Sequence, residues 1–593
     1  MQDNTIYEPL KNYKNIYKEK HKKNIVEYFD ELTKKSAINI EENQITVQEI
    51  KKLKDSRNIL SKKLNGQKSL KTFLIVVAAI SIFIAIISIL KLSSNTSLFI
   101  PLLILGILLS GGMIFLIIKK ITPKIKQLTK EIEELTKNIQ EKTELAYSQI
   151  KPLTDLFFEG MSEILYSKTL PIFNMDPVFD SKRLDYLVNK FGLFDDSDID
   201  RSTLFIKSGD INGNPFYLAN DLVHNLGTKI YTGTRTVSYV SYVTINGKRT
   251  AQTHTQVLTA TLEKPCPYYN EESYVIYGNE AAPNLSFTRV DSDAEHLSQK
   301  QIDKLVKKDM KSLVKKSQKD IRKGGSFTTM AHDEFEILWG ATNRDNEVEF
   351  RLLFTPLAIK QLLELMKDKE IGYGDNFDFV KSKMINGVFP EHLKGFDLSG
   401  NPNLFFHYDY EEIKSLFINY NELYFKNVYF AFAPLLSIPL YQQQKPREYI
   451  YKDLYKSYVS FYEHEKVANK MNLENFKHPL SNTRNILKTS LVSSGGYADT
   501  VKVTAYGYKT ENMVDHIPKM AGDGKTYLVP VHWVLYTPVE QESEIKINVV
   551  QEEKDETYRD KFEKMVENLR KGEEVDPLGL YLLGRFIVEV IKK

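Results

Sequence analysis

Two long apolar runs constrain the fold of this chain more than any other feature. They cover Thr72–Leu90 and Ser97–Ile118, and neither contains a charged residue. Each is close to the roughly 20 residues that a helix needs to span a bilayer, whereas buried helices of soluble domains are usually shorter. The runs therefore predict two transmembrane helices. The short connection Lys91–Thr96 predicts that they form a hairpin whose two ends lie on one side of the membrane.

Lysines on either side of the hairpin predict its orientation. The connection between the runs holds only Lys91. The flanking segments hold many more, including Lys62, Lys63, Lys68, Lys71, Lys119, Lys120, Lys124 and Lys126. Segments rich in lysine and arginine next to membrane helices stay on the cytoplasmic side. We therefore expect a two-pass protein of the cell membrane with both termini in the cytoplasm. The same lysines would attract anionic lipid, although the orientation rule alone is sufficient to explain them.

Small residues recur one helical turn apart in both runs. Ser81 and Ala85 form such a pair in the first run, and Gly106 and Ser110 form one in the second. Small side chains let helix backbones approach closely in lipid, so these four residues are the predicted packing face. The alternative is that such residues are simply common in membrane helices. Neither run has an ionisable residue at mid-depth, which disfavours an ion pathway built by this chain alone.

Apolar residues at helical spacing continue outside the two runs. After the second run they follow a heptad-like pattern between charged residues, at Ile125, Leu128, Ile132, Leu135 and Ile139. A similar stripe precedes the first run, at Ile50, Leu53, Leu60 and Leu64. We expect a helical stalk in which the two segments pair antiparallel. The alternative is a coiled coil between copies of the chain.

Composition excludes several classes of protein. Apolar residues make up 42% and charged residues 26% of the 593 residues, which is close to ordinary globular usage. That length allows several folded units. The net charge of +3 disfavours a nucleic-acid partner. The single cysteine, Cys266, excludes an intramolecular disulfide and a cysteine-built zinc site.

The rest of the chain predicts helices mixed with antiparallel strands. Asp210–Asn214 and Asn246-Gly247 are turn signals between strand-like runs. A helix is expected over Ile150–Leu170, and two more are expected to close the chain, over about Thr557–Lys571 and Leu578–Lys592.

The resulting fold class is α+β. It combines a two-helix transmembrane hairpin and a helical stalk with two cytoplasmic α+β domains that contain antiparallel sheets. A basic cytoplasmic helical segment, the hairpin, the stalk and the two domains are expected over residues 1–70, 71–118, 119–170, 171–440 and 441–593. Near the end of the first domain, Val428–Tyr441 is too short and too proline-rich for a span, so it is either buried core or an interfacial segment.

A block in the first domain carries a resemblance to a known family. Over Glu334–Leu365, FEILWGA and EVEFRLLFT are interpreted as a strand pair that leads through a Thr-Pro into a leucine-rich helix. With the two-span hairpin before it, this block resembles the uncharacterised bacterial membrane family catalogued as domain of unknown function 3137. The resemblance covers about residues 50–420 and does not extend to the long hairpin Tyr231–Pro265. It implies architecture only, because the family brings no known activity.

No catalytic, cofactor or metal site is predicted from motifs. Gly524-Lys525-Thr526 resembles the end of a phosphate-binding loop, but the earlier glycine is missing and a strand follows, so a hairpin turn is expected. His464-Glu465 lacks a second histidine one turn later, and His224 shows no ligand spacing. One alternating acidic set lacks the glycine and glutamate of a calcium loop, namely Asp196, Asp198 and Asp200.

Three functions stay open. The first is a membrane-anchored cytoplasmic binding or scaffold protein of unknown ligand, favoured because no catalytic constellation is visible. The second is an accessory subunit of a membrane transport or export complex, which would dock through its small-residue faces and helical stripes. The third is an enzyme whose site is not visible as a motif. The expected partners are the lipid bilayer and membrane proteins or further copies of the chain, without nucleic acid or a cofactor.

Overall fold

Helix and antiparallel sheet share the chain. The computed structural model describes residues 5–90, 96–176, 179–194, 198–245, 248–445, 460–495, 498–549, 580–583 and 586–592. Helix makes up 50% and strand 29%, and every described strand pair is antiparallel, which confirms the predicted mixture. The chain divides into a sheet unit, Met1–Asn24, Glu159–Gly400 and Glu422–Lys593, and a helical unit, Ile25–Phe158 and Asn401–Asn421. The finer domain boundaries expected from the sequence stay predictions.

The described α-helices are numbered in chain order. The first seven are α1 Pro9–Asn12, α2 Lys18–Ser36, α3 Ile40–Leu90, α4 Thr96–Leu116, α5 Thr122–Thr154, α6 Met161–Thr169 and α7 Ser181–Phe191. The next six are α8 Gln299–Arg322, α9 Asp333–Trp339, α10 Glu347–Leu353, α11 Pro356–Met366, α12 Tyr410–Leu436 and α13 Phe461–Lys470.

Two long helices dominate the helical unit. Helix α3 carries the apolar run Thr72–Leu90 and the polar segment before it in one helix of 51 residues. Helix α4 continues through a π-helical turn, Ile117–Ile121, into α5. Pro123 lies in the first turn of α5, directly after the π-helical turn. Both helices are long and apolar enough to cross a membrane.

Helices α3 and α5 pair antiparallel outside the apolar runs. Lys142 Nζ lies 2.8 Å from Glu49 Oε2, and Gln149 Nε2 donates to Thr46 Oγ1 at 3.1 Å. The earlier residue of α3 therefore contacts the later residue of α5, as in an antiparallel pair. Beside these polar pairs, apolar side chains form a buried cluster of Ile50, Ile139 and Ala146. The pairing agrees with the antiparallel stalk expected from the two stripes.

Both sheets belong to the sheet unit. The seven-stranded sheet has the order β1-β2-β3-β4-β7-β6-β5, and the five-stranded sheet has the order β11-β12-β10-β9-β8. The first sheet comprises β1 Phe173–Met175, β2 Arg201–Ile211, β3 Asn214–Ile245, β4 Lys248–Gly278, β5 Ser286–Arg289, β6 Phe377–Ser382 and β7 Ile385–Pro390. The second comprises β8 Ile486–Ser494, β9 Ala498–Met520, β10 Thr526–Val549, β11 Leu580–Leu583 and β12 Phe586–Lys592.

Tight turns join the long strands where the sequence predicts them. Between β2 and β3, Asn212 adopts a left-handed φ of 50°, and the Asp210 carboxylate accepts the N–H of Gly213 at 2.9 Å. Strands β3 and β4 pair up to Ile245 and Lys248, while the turn Asn246-Gly247 itself lies outside the described residues. Strands β9 and β10 are joined by the predicted turn at Gly524, whose N–H donates to the Ala521 carbonyl.

The two long hairpins, β3–β4 and β9–β10, pack on each other near their turns. Their contact is an apolar cluster of buried residues, Val237, Leu258, Ala260, Ala521, Val529 and Val531. A Cβ on Gly233 would overlap the Pro530 carbonyl, so glycine permits this close approach. The packing holds strands of the two sheets face to face, which shapes the cleft described below.

The block Glu334–Leu365 does not contain the predicted strand pair. FEILWGA and EVEFRLLFT are helical instead, as α9 and α10. The apolar residues in these short runs fit both a strand and a helix, and the caps favour the helix. The His332 and Asn346 side chains each accept a backbone N–H three residues later, at 3.3 and 3.1 Å. The leucine-rich helix after Thr355-Pro356 is confirmed as α11.

Two other helix predictions are wrong. The segment Ile150–Leu170 is not one helix, because α5 ends at Thr154 and α6 begins after Gly160, which has a φ of 117°. The described part of Leu578–Lys592 forms β11 and β12 instead of a helix. Its β-branched residues suit a strand, and pairing with β10 buries Val588 completely. The helix expected over Thr557–Lys571 lies outside the described residues.

The apolar stretch Val428–Tyr441 is buried core. It forms the end of α12 and the 3₁₀ turn Pro439–Gln442, and most of its side chains have no exposure to solvent. Of the two alternatives for this stretch, core and interfacial segment, the structure shows the first.

Candidate functional site

A concave pocket of about 400 Å³ lies in the sheet unit, between the two sheets. Strands β3 and β4 form one wall, and β8, β9 and β10 form the other. We call it the tyrosine pocket and define it by its lining residues, Ile199, Asp200, His224, Tyr269, Ile486, Tyr506, Gly507, Tyr508, Pro538, Val539 and Glu540. Its volume is within the range of roughly 300–1,000 Å³ that is typical of small-molecule sites.

Strand geometry places the aromatic side chains of the second wall. Tyr506 and Tyr508 are two residues apart on β9, so both point to the same face. They pair with Glu540 and Pro538 of β10. A Cβ on Gly507 would overlap the Ser481 hydroxyl and lie 2.6 Å from the Asn485 amide, so glycine lets β9 pass close to this loop.

Cross-strand pairing builds the first wall. His224 of β3 lies directly opposite Tyr269 of β4, and their ring centroids are 5.3 Å apart. The Tyr269 hydroxyl donates to Thr483 Oγ1 at 3.2 Å, and Thr483 Oγ1 also accepts the backbone N–H of Tyr508 at 3.0 Å. Thr483 therefore holds a tyrosine from each wall.

A chain of hydrogen bonds crosses the pocket from Asp200 to Tyr508. His224 Nδ1 lies 2.8 Å from Asp200 Oδ1, and His224 Nε2 lies 3.2 Å from the Tyr508 hydroxyl. The neutral tautomer that donates from Nδ1 to the carboxylate leaves Nε2 to accept the Tyr508 proton. The backbone N–H of His224 also donates to the Asp200 carbonyl at 2.8 Å, which fixes the two residues together.

Electrostatics favour binding over nucleophilic catalysis by these tyrosines. Burial raises the pKa of Tyr508, and the nearby Asp200 charge raises it further. Burial also raises the pKa of Tyr269. Both phenols therefore stay protonated at neutral pH, whereas a tyrosine nucleophile needs a lowered pKa. The arrangement can orient a ligand and donate hydrogen bonds to it.

The pocket carries negative charge. Asp200 and Glu540 supply two carboxylates, and none of the described lining residues is a lysine or arginine. Nearby, Lys502 donates to Glu542 at 2.8 Å and also interacts electrostatically with Glu540, whereas Arg484 donates to Glu271 at 3.2 Å.

The structure brings together three of the four residues expected on the helix-packing face. A Cβ on Gly106 would lie 2.9 Å from the Ser81 carbonyl oxygen and 3.1 Å from the Ala85 Cβ. Helices α3 and α4 therefore approach closely at this point. Ser110 is buried, and its hydroxyl donates to the Ile107 carbonyl of its own helix at 3.1 Å.

The lysines expected to flank the membrane lie before the first apolar run and after the second. They occupy α3 just before its run and, after the second run, the π-helical turn and the start of α5. Seven are exposed and Lys71 is half-buried, the exposed ones being Lys62, Lys63, Lys68, Lys119, Lys120, Lys124 and Lys126.

The histidine and acidic motifs that the sequence analysis rejected as metal sites have structural roles among the described residues. His464 is buried and lies 3.1 Å from Asp499, and the neighbouring Glu465 accepts the backbone N–H of Thr203 at 2.9 Å. Asp198 accepts the backbone N–H of Asp200 at 2.9 Å, which stabilises the turn before β2. Asp196 lies outside the described residues.

One group of possible metal ligands, which the sequence analysis did not select, comes together near β6. Asp293, Glu295 and His296 have ligand atoms within 4.8 Å of one another. Glu295 is already used in the fold, because it accepts the backbone N–H of Asp375 at 3.1 Å and lies 3.3 Å from His296. We therefore assign no ion to this group.

Sequence reasoning missed the tyrosine pocket. In the sequence, Asp200 belongs to an incomplete calcium-like set, and His224 is an isolated histidine. The one local signal is the two-residue spacing of Tyr506 and Tyr508, which would place both side chains on one face of a strand. A comparison with models of known families, with curated proteins and with solved structures found no match to this chain. The resemblance to the family of unknown function 3137 therefore stays a prediction.

Proposed function

We propose that this chain is a membrane-anchored cytoplasmic binding protein. In this proposal α3 and α4 cross the bilayer as a hairpin, and the sheet unit holds a small ligand in the tyrosine pocket. A pocket of this volume with aromatic walls and a few fixed polar groups is typical of a binding site. The protonated state favoured for its tyrosines supports binding more than catalysis.

The outer surface of the helix pair is the observation that carries the proposal. Phe73 and Phe83 of α3 are each 63% exposed, and Leu108 of α4 is 68% exposed. Large apolar surfaces of this kind are rare on soluble monomers and mark a lipid or protein contact. The uncharged length of both runs favours lipid. Lysine-rich flanks support an orientation with both termini in the cytoplasm.

Alkaline carbonate extraction tests the anchor. We expect the wild-type chain to stay in the membrane pellet after extraction. The double variant Phe83→Arg/Leu108→Arg should move to the supernatant, because each arginine costs about 2.5–3.5 kcal/mol at the centre of a membrane helix. Leu145→Arg is the matched control, since Leu145 is an exposed leucine on α5 outside the apolar runs. Release of the wild-type chain by carbonate would contradict the anchor.

The second candidate is an accessory subunit of a membrane transport or export complex. The exposed apolar faces of α3 and α4 favour it, because such faces pack on other membrane helices as readily as on lipid. Purification from native membranes in mild detergent with light crosslinking separates the two functions. Stoichiometric polytopic partners would support the accessory subunit, and recovery of the chain alone would support the binding protein.

A further inference from the structure

We infer that the ligand of the tyrosine pocket is an organic cation with a substituted ammonium group. This inference rests on the proposed binding function and names its ligand class. It follows from the charge, the aromatic walls and the polar groups of the pocket.

The charge of the pocket selects against anions. A phosphate or carboxylate ligand would meet Asp200 and Glu540 without a described lysine or arginine in the lining. Anion sites normally supply such cations or helix N-termini. A cation would instead be attracted by both carboxylates.

The aromatic rings match a bulky cation. Tyr269 approaches from β4, while Tyr506 and Tyr508 approach from β9, so rings surround the cavity from two directions. An ammonium group near a tyrosine ring face gains about 0.5–2 kcal/mol, and several rings form the cages that bind alkylated ammonium groups. The hydrogen bonds of Tyr269 to Thr483 and of Tyr508 to His224 fix two of these rings in advance.

Three probes of nearly equal shape test the charge preference. They are choline, its neutral carbon analogue 3,3-dimethylbutan-1-ol and the anion 3,3-dimethylbutanoate. Each is titrated by calorimetry into the full-length wild-type chain in mild detergent. We expect choline to bind about tenfold or more tightly than the alcohol, because only choline gains the cation–ring attraction. The anion should bind more weakly than the alcohol.

Variants assign the binding to the tyrosine pocket. Tyr508→Leu keeps an apolar side chain but removes a ring, so choline should bind about fivefold more weakly, with little change for the alcohol. Glu540→Gln should weaken choline about two- to fivefold, as expected for one partly solvated charge. Glu589→Gln is the matched control on β12, the neighbouring strand of the same sheet. Glu589 is exposed and does not line the pocket, so its replacement should leave choline binding unchanged.

The outcomes separate this inference from the proposed function. If the alcohol or the anion binds as tightly as choline and loses affinity in Tyr508→Leu, the cation inference is overturned but a binding pocket remains. If choline shows no binding that depends on Tyr508, the inference is also overturned. Carbonate extraction of the wild-type chain tests the anchor of the proposed function independently of either result.

Discussion

At the residue scale, His392 makes the stability of the sheet unit depend on pH. Its Nε2 lies 3.0 Å from the Asn427 carbonyl, and its ring stacks on Tyr373 with centroids 4.0 Å apart. Its Nδ1 has no hydrogen-bond partner among the described residues, so a protonated ring would place an unpartnered N–H in the interior. Burial lowers the pKa of His392 to about 4.

The sign of the effect follows from this lowered pKa. The unfolded chain binds the proton near pH 6.5 and the folded chain only near pH 4, so stability is complete above pH 6.5 and falls toward pH 4. The full loss is about 3 kcal/mol. His392→Phe should flatten this part of a pH series of urea unfolding measurements. His296→Phe is the control, because the His296 side chain is 76% exposed. An equally steep fall in His392→Phe would contradict the assignment.

The residues of the tyrosine pocket could not be selected from the sequence. Asp200 and His224 have a direct hydrogen bond but are separated by the whole of β2 and the turn after it. Tyr508 is 284 residues from His224 along the chain. Local patterns report periodicity and caps, whereas a site built across two sheets depends on long-range packing that no single segment contains.

At the element scale, the sequence was most informative where one physical signal dominated. Uninterrupted apolar length predicted α3 and α4, and turn residues predicted the hairpins at Asn212 and Gly524. The sequence was least informative where short apolar runs fit both the period of a helix and the period of a strand. Between α9 and α10, the buried Arg344 donates to Glu336 at 2.9 Å and to Glu347 at 2.7 Å, which ties the two helices together. The periodicity of the apolar residues does not indicate this ion network.

The contact between α3 and α4 gives a prediction with a matched pair of variants. Gly106→Leu should destabilise the chain by about 1–3 kcal/mol, because the side chain would be forced against Ser81 and Ala85. Gly111→Leu should have little effect, since a Cβ at Gly111 meets no atom within 4 Å. Thermal unfolding in mild detergent compares the two. Equal melting temperatures for both variants would show that the close approach at Gly106 does not contribute to stability.

At the scale of the whole molecule, the mixture of helices and antiparallel strands could be predicted from the sequence, but the order in which the strands pair could not. In the second sheet, β12 near the C-terminal end of the chain lies between β11 and β10 and pairs with both. In the first sheet, β4 pairs with β7, which is more than 100 residues later. Such pairings are selected by the burial of complementary faces, and a local reading of the last segment as a helix could not detect them.

The proposed orientation of the whole chain leads to a final prediction. The chain has one cysteine, Cys266, which is buried and can be replaced by serine to give a background without cysteine. In that background, Ser94→Cys places a thiol in the short connection between the apolar runs, and Glu542→Cys places one on the exposed surface of β10. An impermeant maleimide should label Ser94→Cys in intact cells, because lysine-rich flanks keep both chain ends inside.

Glu542→Cys should be labelled only after the cells are permeabilised, because the sheet unit would then lie on the cytoplasmic side with the termini. The reverse pattern would overturn the proposed orientation while keeping the hairpin. Labelling of both variants in intact cells would contradict the two-pass arrangement itself, because a hairpin that crosses the bilayer separates its connection from everything beyond its ends. The experiment thus reads the orientation of the whole chain from two positions, independently of what the tyrosine pocket binds.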